Sequence, residues 1–190
     1  MLLKILEIFT LVSGLVYVWL QVRQSNWMWP VDILCCIAAA ITFFAGSLWA
    51  NFGLNVYYIL MAFWGIHAWL RDSRKVDQGE IHLSKPSRRV YIVSILITLI
   101  GGTALIELLR FLGDPAPVMD GIIGILGVVG CWWLAQSYID NWIIWIVADT
   151  LTLILCITQG LYWMSALYAV YVGMAVYGYL NWQKLGKYVE

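Results

Sequence analysis

The stretch VYIVSILITLIGGTALIELLRF, Val90–Phe111, decides the fold. It carries no charge from Val90 to Ile106, and its first ionisable group, Glu107, stands about one turn from its end. A helix that crosses a bilayer needs about 20 apolar residues, and this stretch supplies them. In water the same helix would expose apolar surface on every face. The texture repeats outward along the chain. Further apolar stretches lie at Leu2–Leu20, Trp29–Ala50, Leu54–Leu70, Pro117–Gln136, Asn141–Ile157 and Leu161–Trp182. The breaks between them are polar or turn-forming: Gln21–Asn26, Asn51-Phe52-Gly53, Gly113-Asp114-Pro115-Ala116-Pro117 and Gln159-Gly160. One break is long and hydrophilic, Arg71–Arg89.

Composition agrees. Hydrophobic residues make up 63% of the chain and charged residues 12%, against about 45–50% and 25% in soluble domains. A soluble chain of 190 residues has more surface than so few charges can cover. This excludes an ordinary cytosolic enzyme, a nucleic-acid binder and a disordered protein. A net charge of zero points to no polyanionic partner. The first apolar run holds Lys4 and Glu7 and no small-residue cleavage signal, so it is expected to be a retained helix. Cys35, Cys36, Cys131 and Cys156 all lie in apolar stretches and are expected to be small buried hydrophobes, not disulfides or metal ligands. Twelve Trp and eleven Tyr exceed what interfacial belts need, and an aromatic-lined pathway can take the rest.

With seven crossings, one side receives Arg23, Arg71, Arg74, Lys75, Lys85, Arg88, Arg89, Lys184 and Lys187. The other receives Lys4 and Arg110. The positive-inside rule then places the N-terminus outside, the C-terminus inside and the long loop in the cytoplasm, where it can touch anionic lipid.

The chain also resembles itself. Met61-Ala62-Phe63-Trp64-Gly65-Ile66-His67-Ala68-Trp69 matches Met174-Ala175-Val176-Tyr177-Gly178-Tyr179-Leu180-Asn181-Trp182. Asn26-Trp27 matches Asn141-Trp142, and Gln21 matches Gln136 at that same offset. The expected architecture is an all-α membrane protein of two parallel three-helix repeats joined by a linker helix. Residues 1–70 form the first repeat, 71–116 the loop and linker helix, 117–182 the second repeat and 183–190 a cytoplasmic tail. Parallel repeats of this kind occur in transporters, with the substrate near the midplane.

Polar groups at membrane depth are functional candidates by default. Asp149 sits two turns into its helix, one turn after Trp145, so an indole and a carboxylate share a face. That face suits a flat cationic or hydrogen-bonding ligand. Asn55, Trp64 and His67 are candidates on the third helix, and His67 is open to three roles: ligand group, proton carrier or interhelical donor. Tyr171 and Asn181 are candidates on the seventh. No phosphate-binding glycine loop, nucleophile elbow or metal signature is present, so no catalytic residue, cofactor or metal ligand is assigned.

These residues resemble the PnuC family of bacterial vitamin transporters. The resemblance rests on Glu7 and Gly14, on Asn26, on Trp64-Gly65 with Trp69, and most specifically on Asn141-Trp142-x-x-Trp145-x-x-x-Asp149 followed by Gln159-Gly160-Leu161-Tyr162. It implies a three-plus-one-plus-three arrangement like that of the SWEET sugar transporters, a trimer and a bacterial inner-membrane location. It also implies facilitated diffusion of nicotinamide riboside, made directional by cytoplasmic phosphorylation. The chain departs from the family pattern where a ligand would be touched. Asp149 replaces an Asn, Asn55 stands for a Gln, and Gly65 is followed by Ile66 and His67 instead of Trp. An amide suits nicotinamide riboside, whereas a carboxylate can grip the aminopyrimidine of thiamine. Both substrates therefore stay open. So does a non-transporting receptor or partner subunit, while a membrane-embedded enzyme lacks the residues it would need.

The charge distribution makes a direct prediction. A cysteine introduced between Arg71 and Arg89 is expected to resist impermeant thiol reagents in intact cells and to react after permeabilisation; labelling in intact cells would reverse the topology.

Overall fold

The apolar stretches fold as seven helices among the described residues. The structure is a computed structural model that describes residues 2–45, 49–77 and 79–189, without the side chains of residues 2–11, 42, 45 and 49–51, Glu7 among them. Helix α1 spans Leu2–Val22, α2 Met28–Ala45, α3 Trp49–Asp72, α4 Arg88–Phe111, α5 Pro117–Ala135, α6 Asn141–Thr158 and α7 Tyr162–Leu185. Four of them, α4 to α7, are long and apolar enough to cross a membrane. The chain is a multi-pass membrane protein. One expected break is misplaced: α3 already begins at Trp49, so Asn51, Phe52 and Gly53 are helical. Gly53 has no positive φ and needs no turn geometry. Residues 46–48, between the described ends of α2 and α3, lie outside the described residues.

Helix α1 packs on α7 and α3 packs on α5, while α2 lies against α1 and α3, and α6 against α5 and α7. Helix α4 packs on α5. It approaches closely because Gly102 meets Ile125, Gly121 meets Ile106 and Gly124 meets Leu105. The Trp133 indole donates to Ser94 Oγ across this contact at 2.8 Å.

The turns after α1 and α5 are built alike. Gln24 and Ser137 both take left-handed backbone, with φ of 50° and 57°. The Gln24 and Ser137 N–H groups donate to Gln21 and Leu134, those of Ser25 and Tyr138 to Leu20 and Trp133, and those of Met28 and Asn141 to Ser25 and Tyr138. These bonds equate Trp29, not Trp27, with Trp142. The match of Asn26-Trp27 with Asn141-Trp142, and of Gln21 with Gln136, is thereby corrected by two residues. Trp27 is 73% exposed, whereas Trp29 and Trp142 are at most 1% exposed. The shared Asn-Trp letters misled the sequence comparison, because the turn geometry and not the letters fixes the register.

Trp29 and Trp142 begin the core. The Trp29 ring lies flat on Gly65 and the Trp142 ring on Gly178, so that a Cβ at either glycine would enter the ring. Trp29 meets Trp69 edge-on at 5.0 Å, Trp69 meets Trp182 at 6.2 Å and Trp182 meets Trp142 at 5.4 Å. All four indoles are buried. Two of them tie the helices crosswise. Trp69 on α3 donates to Leu134 O near the end of α5 at 3.2 Å, and Trp182 on α7 donates to Val22 O at the end of α1 at 3.0 Å.

Over this end of the bundle lies a feature absent from the sequence expectations. Ile81–Leu83 (β1) pairs in parallel with Gly186–Tyr188 (β2). Three-residue strands are too short to show alternation. The pairing puts the 71–89 loop and the C-terminal residues on one side of the bundle. Gln24 holds β1 with both ends of its amide: Oε1 accepts from His82 N at 2.9 Å, and Nε2 donates to His82 O at 2.8 Å. The His82 ring is 2% exposed and stands edge-on to Trp69 at 5.8 Å. Burial pulls its pKa down to about 4, against the opposing pull of Asp72.

Two outcomes follow from this packing. Gly178→Ala is expected to destabilise the protein by about 1–3 kcal/mol through overpacking. Gly173→Ala, which meets nothing within 4 Å, is expected to be neutral or stabilising by up to about 1 kcal/mol. Thermal unfolding in detergent checks both. Below about pH 6.5 an unfolded His82 takes a proton that the folded one refuses until about pH 4, so this part of the stability is full above pH 6.5 and lost as pH falls to about 4. His82→Gln is expected to flatten the midpoint over that window; an unchanged slope would contradict a buried neutral imidazole.

Candidate functional site

Between α1, α6 and α7 lies a cavity of about 460 Å³, counting the space at its mouth. Its wall is Tyr17, Val18 and Gln21 from α1, Trp142, Trp145 and Asp149 from α6, and Tyr171 and Ala175 from α7. Helix periodicity explains the α6 contribution, because positions 142, 145 and 149 fall on one stripe. The Trp145 ring can sit there because Gly130 faces it, with ring atoms 3.2 Å from where a Cβ would be. Tyr171 reaches across to α1, where its hydroxyl lies on Gly14 and leaves no room for a side chain.

Three polar groups in this wall, the Asp149 carboxylate and the Trp142 and Trp145 indole N–H groups, have no hydrogen-bond partner among the described residues. Asp149 has no hydrogen bond or ion pair among the described residues; the charged pairs join Arg71 and Lys75 to Asp72, Arg110 to Glu107, and Lys187 to Glu80. The Tyr168 and Tyr171 hydroxyls lie within electrostatic reach of its carboxylate. The indole N–H groups of Trp142 and Trp145 are buried and bond to nothing in the protein. The cavity thus presents one carboxylate, two indole N–H donors without a partner among the described residues, and four aromatic side chains, Tyr17, Trp142, Trp145 and Tyr171. An aromatic ligand with a positive charge or donor groups complements such a wall.

The structure brings together three of the expected residues, Trp145, Asp149 and Tyr171. It separates the others. Trp64 is 54% exposed and His67 is exposed, both on the outer face of α3. Asn55 is part-buried on α3 and does not line the cavity. Asn181 donates to Val22 O at 3.1 Å and lines a second hollow of about 700 Å³ at the loop end, with Trp19, Arg23, Gly79 and Tyr177. The sequence reading had not singled out Tyr17, Val18 or Ala175 for the site. Gln21 and Trp142 had been noticed as a polar break and as part of a motif, but only the crossing of α1 with α6 and α7 makes them neighbours.

A family model described as the nicotinamide mononucleotide transporter matches residues 4–184. The chain belongs to this family. Two nicotinamide riboside transporters PnuC resemble it. That of Neisseria mucosa is 26% identical over 141 residues, 70% of this chain and 52% of the relative. That of Haemophilus influenzae is 27% identical over 132 residues, 68% of this chain and 57% of the relative. The chain thus spans little more than half the length of these relatives. The riboflavin/roseoflavin transporter RibM of Streptomyces davaonensis is 23% identical over 175 residues, 90% of this chain and 81% of the relative. The crystal structure of the vitamin B3 transporter PnuC shares the fold, with a TM-score of 0.72 at 23% identity over 93% of this chain and 79% of that one. Helix α4 stands outside the reciprocal α1–α7 and α3–α5 contacts of this chain.

Proposed function

We propose that the chain transports a small aromatic, cationic vitamin or nucleoside across the membrane, with nicotinamide riboside as first candidate and thiamine as the alternative within the family. One observation carries this reading: among the described residues the Asp149 carboxylate has no cation beside it, and it stands one turn from the Trp145 indole in the cavity wall. A bare carboxylate at membrane depth is costly unless a partner offsets it. A bound organic cation is such a partner, and the aromatic faces of Trp142, Trp145 and Tyr171 stack on its ring. The names of the two PnuC relatives support nicotinamide riboside. The carboxylate at Asp149 supports thiamine. RibM is described as carrying riboflavin and roseoflavin; riboflavin is uncharged and offers Asp149 hydrogen-bond donors but no counter-charge.

In this reading the molecule is two parallel three-helix units, 1–70 and 117–182, joined by the loop and linker helix 71–116. The shared turn geometry at Gln24 and Ser137, and the reciprocal bonds of Trp69 and Trp182, support it. Three copies assemble in the inner membrane, with the 71–89 loop and 183–190 in the cytoplasm. Substrate equilibrates through the bundle, and phosphorylation inside makes uptake directional. The alternative of a receptor or partner subunit without transport leaves the cavity wall but removes the flux.

Proteoliposomes test this. With the membrane potential held at zero, labelled nicotinamide riboside is expected to enter until inside and outside concentrations match, and no further. Accumulation that needs an imposed proton or sodium gradient would contradict facilitated diffusion, and no entry of nicotinamide riboside or thiamine would contradict the substrate class. Asp149→Asn restores the family amide. It is expected to weaken thiamine binding by about 1.5–3 kcal/mol and to leave nicotinamide riboside binding equal or better. Unchanged affinity for both in folded protein would make Asp149 structural.

A further inference from the structure

A second acidic residue lies inside the bundle, and the cavity does not use it. Asp32 is on α2, four residues after Met28, and part-buried. Its carboxylate accepts a bond from the Cys36 thiol at 3.6 Å, and no Lys, Arg or His pairs with it among the described residues. The Tyr17 hydroxyl stands within electrostatic reach of it, together with Cys36, Tyr58 and Cys131. Tyr17 is also part of the wall of the Asp149 cavity. Tyr17 therefore lines the Asp149 cavity and lies within electrostatic reach of Asp32.

The turn bonds that equate Met28 with Asn141 make Asp32 the counterpart of Trp145, and Cys36 the counterpart of Asp149. The pairs across the two halves are complementary in size. Where α6 has Trp145, the facing position on α5 is Gly130; where α2 has Asp32, the facing position on α1 is Tyr17. The Tyr171 hydroxyl lies on Gly14, and the Tyr58 hydroxyl lies in the same way on Gly127. The two halves thus carry related walls, each with one carboxylate, but at different heights. Asp32 is one helical turn nearer the loop end than Asp149, about 6 Å along the axis. In the structure, the loop end below both is sealed by the indoles of Trp29, Trp69, Trp142 and Trp182.

We infer that Asp32 is a second station for the substrate's positive charge. A cation held at Asp149 moves one turn towards the loop end, past the Tyr17 hydroxyl, to Asp32, before the indole seal parts. The substrate class is a monovalent aromatic cation, so the inference rests on the transport reading above. Two staggered carboxylates keep a counter-charge beside the ligand throughout its passage, where a single one would leave it facing apolar wall after its first step. Asp32 in this role positions the ligand for exit and adds little to its first binding.

Asp32→Asn separates these roles. In detergent, its affinity for nicotinamide riboside and thiamine is expected to stay within about two-fold of the wild type. In proteoliposomes, its maximal uptake of the transported cation is expected to fall at least ten-fold, and Asp32→Glu, which keeps the charge, is expected to recover most of it. Uptake by Asp32→Asn equal to wild type overturns the inference. So does an affinity loss as large as the uptake loss, and so does an Asp32→Glu as slow as Asp32→Asn. A second measurement leaves Asp32 in place. With Cys35, Cys131 and Cys156 changed to alanine, saturating nicotinamide riboside is expected to slow alkylation of Cys36 by N-ethylmaleimide by up to about two-fold. A rate that does not change would place the substrate elsewhere. If the wild type neither binds nor transports either cation, the transport reading itself fails. If it transports and these variants behave as the wild type, only the second station fails.

Discussion

Four indoles meeting at one end of the bundle are the contact on which the other elements depend. Trp29, Trp69, Trp182 and Trp142 form a chain of edge-on contacts, each worth about 0.5–1.5 kcal/mol beyond the area it buries. Their positions demand Gly65 and Gly178, because only a bare backbone admits the flat face of an indole. Their N–H groups then set which helices cross. Trp69 reaches the end of α5 and Trp182 the end of α1, so each half of the chain terminates a helix of the other. Once α1 and α5 are held there, the turns at Gln24 and Ser137 aim α2 and α6 back along the bundle. The wall of Trp142, Trp145 and Asp149 is the inward stripe of the helix so aimed.

The same contact explains why the cavity is closed below. Trp142 belongs at once to the cavity wall and to the indole chain. Above it the wall carries Asp149 and the Trp145 indole N–H without partners among the described residues; below it the indoles are buried, and His82 and the paired strands β1 and β2 cover them. A charge-bearing ligand that entered from above would meet Asp149 before the seal. Motion of the indoles, and with them of α3 and α7, would then decouple exit from entry, which suits exchange between two sides of a membrane.

Most of the helices were legible because lipid demands long uncharged stretches, and Val90–Phe111 and Pro117–Ala135 meet that demand without ambiguity. Asp149 with Trp145 was legible because helix spacing alone puts them on one face. The turn expected at Asn51-Phe52-Gly53 was not, since a helix tolerates a single glycine at a cost of about 1 kcal/mol and Gly53 takes no positive φ. The register of the two halves was misjudged because Asn26-Trp27 and Asn141-Trp142 share letters but not geometry. Trp64 and His67 are candidates in the sequence as an aromatic and a titratable group sharing a face at membrane depth. In the structure it is Gly65 itself that faces the core, against Trp29, and the two side chains point away. Tyr17, Val18 and Ala175 carry no local signal; they belong to the cavity only through the crossing of α1 and α7. Strands β1 and β2 were out of reach for a similar reason, since their pairing joins residues far apart in sequence.

The central claim is that an unpaired carboxylate at Asp149 recognises a cation that then crosses the membrane. A cation carried alone moves charge, so the claim is electrical as well as chemical. Capacitive current recording on supported proteoliposomes measures it directly. A jump in nicotinamide riboside or thiamine concentration is predicted to give a transient of inward positive charge, an equal jump in riboflavin none, and Asp149→Asn a diminished transient for thiamine. Uptake of a labelled cation with no charge movement, or a thiamine transient of full size in folded Asp149→Asn, would contradict the account.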